Sequence, residues 1–142
     1  MQNPNLHNCK LVVDIAVFSS GKVLLVKYAD ENKYDHQKGW FLPDDLMKAG
    51  EHPEDAALRI LKQQLGIENV NVELGEIESF TGNDKSWHLV FHYKTNLDDT
   101  KIINPEKELI ETGWFETESL PDAREVAHHG WAIYTIKSLI KK

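Results

Sequence analysis

Apolar positions recur along this chain with two periods, and the switches between them divide it into strands and helices. Residues 10–19 alternate: Val13, Ile15 and Val17 share one face, while Val12 and Ala16 flank Asp14 on the other. Asp14 is therefore either a polar floor under a pocket or an edge residue. Ser19, Ser20 and Gly21 predict a hairpin turn into a partner strand at 22–28. Residues 29–38 are charged and aperiodic, which predicts an exposed loop in which Tyr34, His36 and Lys38 are candidate ligand contacts. Trp40, Phe41 and Leu42 predict a short buried strand that Pro43 closes, because proline cannot donate to a ladder.

A helical period follows. Pro53 suits a first turn, Glu54 and Asp55 suit the positive end of the helix dipole, and Gly66 is the expected stop. At about 100° per residue Ala57, Leu58, Leu61 and Leu65 form one apolar stripe, which leaves Ile60, Gln63 and Gln64 on a separate face. Period two then returns at 69–81, with a break or bulge near Gly75, and a turn at 81–84 leads to a strand at 86–95. His88 and His92 share a face of that strand, about 13 Å apart by strand rise, too far to hold one metal ion. They read as separate side chains on a pocket wall or a wet face. A polar loop at 96–106, a strand at 109–115 and an amphipathic helix at 124–142 complete the pattern. Val126, Ile133, Ile136, Leu139 and Ile140 supply that helix with its packing positions, and His128 and His129 near its start are weak candidates for a ligand contact.

Residues 45–67 carry the strongest motif. Glu51, Arg59, Leu61, Gly66 and Ile67 stand at the spacing of the pattern G-x5-E-x7-R-E-u-x-E-E-x-G-u, where u is a bulky aliphatic residue. The stretch resembles the Nudix box, and the run before it from Trp40 to Pro43 fits the same family. Four positions depart from the pattern: Asp45 replaces its first glycine, Ile60 the glutamate after arginine, and Gln63 and Gln64 its glutamate pair.

The resemblance implies a single domain over residues 1–142 with a Nudix-like α/β/α sandwich. A mixed sheet would lie between the box helix and the C-terminal helix, with the pocket above the 43–50 loop. It also implies an ion pair between Arg59 and Glu51 that braces loop against helix. Family members hydrolyse nucleoside diphosphate derivatives with Mg²⁺ or Mn²⁺ held by the box glutamates, since a hard cation takes oxygen ligands and carboxylates neutralise it. Glutamine keeps an acceptor but no charge, and isoleucine keeps neither. One charge pair at 4 Å is worth roughly 4 kcal/mol at an effective dielectric near 20, so losing two or three weakens a metal site by orders of magnitude. The expectation is a Nudix-like protein that binds a nucleotide, nucleotide-sugar or other nucleoside diphosphate derivative with little or no hydrolysis and no resident cofactor. The alternative is an active pyrophosphohydrolase that uses substitute acids, from Asp44 and Asp45 in the loop or from Glu106, Glu108 and Glu111.

Composition narrows the setting. With 142 residues and 41% hydrophobic content the chain suits one core, and its net charge of −7 argues against nucleic acid as a partner. Cys9 is the one cysteine, so no internal disulfide can form and a reducing compartment is the simpler home. No apolar run approaches 18 residues, and the polar opening residues lack a signal-peptide pattern. These features make a cytoplasmic protein without membrane contact the expectation, with a homodimer open.

Overall fold

The computed structural model describes residues 9–29, 38–82, 85–99 and 109–141. Tyr34, His36, Glu106 and Glu108 lie outside the described residues. The strands are β1 (Cys9–Ser19), β2 (Lys22–Tyr28), β3 (Asp44–Leu46), β4 (Glu73–Thr81), β5 (Trp87–Asn96) and β6 (Leu109–Glu116); the helices are α1 (Pro53–Leu65) and α2 (Ala127–Ile140). The sheet runs β4-β5-β1-β2-β6, with β3 paired to β1, and is mixed: β1 and β5 are parallel, the other pairs antiparallel. Helices cover both faces, as an α/β/α sandwich requires.

The β1–β2 hairpin turns through Ser20 and Gly21, both at positive φ, and then opens after two residue pairs. Residues 40–47 enter the gap. Phe41 exchanges backbone hydrogen bonds with Val26, Ile15 N–H donates to the carbonyl of Pro43, and β3 continues along β1. Proline thus ends donation but not the extended path. Asp44 and Asp45, expected in a loop, are strand residues, opposite Asp14 and Val13.

Alternation along this inserted segment feeds two cores. Phe41 and Met47 join Val13, Ile15 and Leu61 beneath α1, whereas Trp40 and Leu42 join Ala16, Ile136 and Leu139 beneath α2. Helix α1 starts with Pro53 and ends at Gly66 in the left-handed conformation, whose N–H caps Lys62 while Ile67 N–H reaches Leu61. Its buried face differs from the expected one. Ile60 and Gln64 are inside with Ala56, Ala57, Leu61 and Leu65, while Leu58 is 37% exposed. Lying three and seven residues after Ala57, Ile60 and Gln64 sit on its side of the helix, and the contact with both sheet and inserted segment is wide enough to take them in.

Two further elements place the site. A register shift at Gly75 bulges β4, where a side chain would collide with Leu139 of α2. Helix α2 begins at Ala127 and not at Arg124: residues Ala123–Glu125 form a 3-10 turn capped by Asp122. Trp40 then clamps the helix start, donating to Glu125 O and accepting from Ala127 N–H.

Candidate functional site

The loop–helix junction is built around one guanidinium. Arg59 donates from Nε to Glu51 Oε2 at 2.8 Å and from Nη2 to Glu51 Oε1 at 3.1 Å, a bidentate pair. Its Nη1 donates to Asp45 Oδ2 at 3.1 Å and to Gln63 Oε1 at 3.3 Å, and Nη2 also reaches the carbonyl of Leu46. Glu51 accepts in addition from Lys48 N–H, and Asp45 from Leu46 N–H. The hydrogen bond from Arg59 lowers the pKa of Glu51, and the bond to Glu51 raises that of Arg59 against the opposing effect of burial. These groups satisfy one another, and the arrangement fixes loop to helix.

The side chains standing where the family pattern has acids do not fit a divalent cation. Ile60 is fully buried among aliphatic neighbours. Gln64, also buried, accepts from the Tyr28 hydroxyl at 2.8 Å and donates from Nε2 to the carbonyl of Asp44 at 2.8 Å. Asp44 N–H donates to the same Tyr28 oxygen, closing a ring of hydrogen bonds. The position needs a group that donates and accepts at once, which an amide does and an ionised carboxylate does not. Asp45 is engaged by Arg59, and Gln63 is exposed. Glu111 lies on β6, where it faces Lys27 at 3.6 Å. Among the described residues no three His, Cys, Asp or Glu side chains are grouped to share an ion.

A second arrangement lies across the sheet, on the α2 side. A cavity of about 70 Å³ is bordered by Lys10, Asp14, Asp44, Phe80, His88 and Trp131. It borders the 43–50 segment from the α2 side, where Leu42, Asp44 and Leu46 line it. Its walls are aromatic. Phe80 stacks on His88 with centroids 4.5 Å apart at 13°, and Trp131 meets Phe80 edge-on at 4.5 Å. His128, held at φ 53° in the irregular first turn of α2, stands edge-on to Phe41 and Phe80. Lys38 is an exposed residue at the margin of the described chain, and nothing is described of the His129 side chain.

Asp14 is a buried floor residue on a central strand, not an edge residue. The parallel register sets it beside His92, whose Nδ1 is 2.6 Å from Asp14 Oδ1. Nε2 of the same ring lies 2.9 Å from Glu78 Oε1, off the line of a hydrogen bond. Burial opposes charge on His92, but Asp14, then Glu78 and Glu76, outweigh it and raise its pKa. Neither histidine is on a wet face: His88 is in the cavity wall and His92 has no exposed surface. Sequence reading missed Phe80, Trp131 and Glu78. Strand parity already put His88, Val90 and His92 together, and the parallel pairing of β5 with β1 supplies the rest.

The architecture defines a class: an α/β/α sandwich with an arginine-braced loop leading into its first helix. A NUDIX domain model matches residues 10–134, so the chain belongs to the Nudix family. Among curated proteins none matches. A Caenorhabditis elegans Ap4A hydrolase is similar in structure at a TM-score of 0.74 and 15% identity, covering 93% of this chain and 96% of that one. The Escherichia coli dihydroneopterin triphosphate pyrophosphohydrolase gives 0.73 at 14% identity, covering 93% and 96%. A NUDIX hydrolase from Nitrosomonas europaea gives 0.66 at 23% identity, covering 96% and 72%. At such identities the likeness is one of fold.

Proposed function

We propose that this Nudix-family chain binds a nucleotide or nucleoside diphosphate derivative and does not hydrolyse it by the family's metal-dependent route. The observation that carries this reading is Gln64, locked between Tyr28 and the Asp44 carbonyl beside a fully buried Ile60. An ion placed there would meet an alkyl group and an amide whose oxygen is already in use. Two structural relatives, an Ap4A hydrolase and a dihydroneopterin triphosphate pyrophosphohydrolase, act on phosphorylated nucleotide-like compounds, which supports a ligand of that class.

The same reading takes the chain as one cytoplasmic domain acting on a small molecule, with nucleic acid disfavoured by the charge of −7 and a homodimer open. No helix of the described residues is long and apolar enough to cross a membrane. The test is a panel of dinucleoside polyphosphates, nucleotide-sugars and ADP-ribose with Mg²⁺ or Mn²⁺, read both as thermal shift and as product release. The expected result is a shift in melting temperature without turnover. Metal-dependent turnover abolished by Glu106→Gln, Glu108→Gln or Glu111→Gln would establish the substitute-acid hydrolase instead.

A further inference from the structure

Beside α1 the sheet presents a face on which polarity is reversed. Along β4 the acids Glu76 and Glu78 point to the α2 side and are half-buried, while Ile77, Ser79 and Thr81 on the other side are exposed. Along β5, His88 and His92 are buried on the α2 side, and Trp87, Leu89 and Phe91 alternate with them. The pairing registers align Thr81 with Trp87, Ser79 with Leu89, Ile77 with Phe91, and Leu11 of β1 with Leu89. Residues in register on neighbouring strands point the same way, so these rows form one surface. Only its Phe91 end reaches the core beneath α1. Ile77 is 51%, Leu11 42% and Trp87 39% exposed. None of the positions named on this surface carries a charge, in a chain that is 27% charged with a net charge of −7. A chain folding for itself alone would gain by the opposite placement, acids out and aliphatic and aromatic side chains in.

We infer that this face is a dimer interface, on which a second copy of the chain packs its own β4-β5-β1 surface about a two-fold axis. Charge selects the occupant. A two-fold contact sets a patch against itself, so any charge near the axis meets its like. Two chains of net charge −7 therefore approach at least cost through a neutral surface, which this is, whereas a strongly charged partner would find no counter-charge on it. Extent agrees. Three strands and five residues along each span about 14 Å both ways, the few hundred Å² at which an exposed apolar patch marks an interaction site. As the centre of an interface with a polar rim, it fits the roughly 800 Å² per partner of a stable complex. Twisted sheets pack face to face by interdigitating such rows, and Trp87 is the kind of large aromatic that anchors them. The homodimer left open above thereby acquires a surface, independently of the ligand.

The experiment is sedimentation velocity on the full chain from about 1 to about 200 µM. The parent is expected to sediment as a dimer with a dissociation constant of about 10 µM or tighter. Ile77→Lys and Trp87→Lys each set like charges against one another across the axis and are expected to weaken the dimer at least about tenfold. Ile110→Lys alters a position that is 66% exposed on β6, at the opposite edge of the sheet, and leaves the dissociation constant unchanged. Should the lysine variants fail to fold, the salt dependence of the unaltered protein decides. An uncharged contact between two acidic chains holds or tightens as salt rises, whereas a contact made by ion pairs loosens. A parent that is monomeric throughout, a dimer indifferent to Ile77→Lys and Trp87→Lys, one broken by Ile110→Lys, or one loosened about tenfold by salt overturns the inference. A monomer that cosediments with phosphatidylcholine vesicles overturns it too and gives the face to a lipid surface. None of these outcomes bears on nucleotide binding, which the thermal-shift panel reads separately.

Discussion

The loop–helix junction and the cavity floor share a plan, one cation between two carboxylates, and differ in what the plan leaves over. At the junction Arg59 sits between Glu51 and Asp45, and every charged group there is bonded several times. At the floor His92 sits between Asp14 and Glu78, but its cation can lose its proton and Asp14 still borders a cavity. A guanidinium remains charged at any accessible pH and organises its surroundings permanently, whereas an imidazolium is conditional. The first arrangement holds shape; the second leaves an acid able to meet something else.

Several substitutions break or sharpen that contrast. Ile60→Glu puts an unpaired charge into the α1 core and is expected to destabilise by about 3–5 kcal/mol in urea unfolding, while Gln63→Glu, on the exposed face beside it, changes stability by less than about 0.5 kcal/mol. Arg59→Ala leaves Glu51 and Asp45 facing each other and costs about 2–3 kcal/mol, a loss that unfolding midpoints would show. Gln64→Glu removes the donor to the Asp44 carbonyl and costs about 2 kcal/mol near neutral pH. Because a protonated carboxyl regains that donor, the deficit should shrink on acidification. Gly130→Ala forces a side chain into φ 86° and against Ala123, for about 1 kcal/mol by thermal unfolding.

The smallest effect tests the conditional cation directly. His92 has a pKa above its ordinary value when folded, so its contribution to stability is complete below the unfolded pKa of about 6.5 and is lost as pH rises through the folded value. Urea midpoints should fall across that window in the parent protein. The fall should be absent from His92→Gln, and a parent profile no steeper than the variant's would show that the two arrangements do not differ in this way.

Much of the architecture was legible because it is written in local chemistry. Positive φ at Gly21 and Gly66, the bulge at Gly75 and the parity of β1 each follow from a few neighbouring residues. The inner face of α1 was misjudged at Leu58, Ile60 and Gln64, since helical spacing states which residues are neighbours but not how wide an arc the partner surface covers. The cavity was harder still. Asp14 meets His92 across 78 positions of chain, and Trp131 comes to His92 from a third element. Such meetings depend on strand order, which a lone chain's periodicity does not encode.

Residues 40–47 alternate sides so strictly that their length is fixed. Removing one residue between Phe41 and Leu46 would give each of those before the cut its neighbour's place, setting Leu42 under α1 and Phe41 toward α2, and would pull Trp40 off the start of α2. An insertion or deletion within the segment therefore disturbs both cores at once.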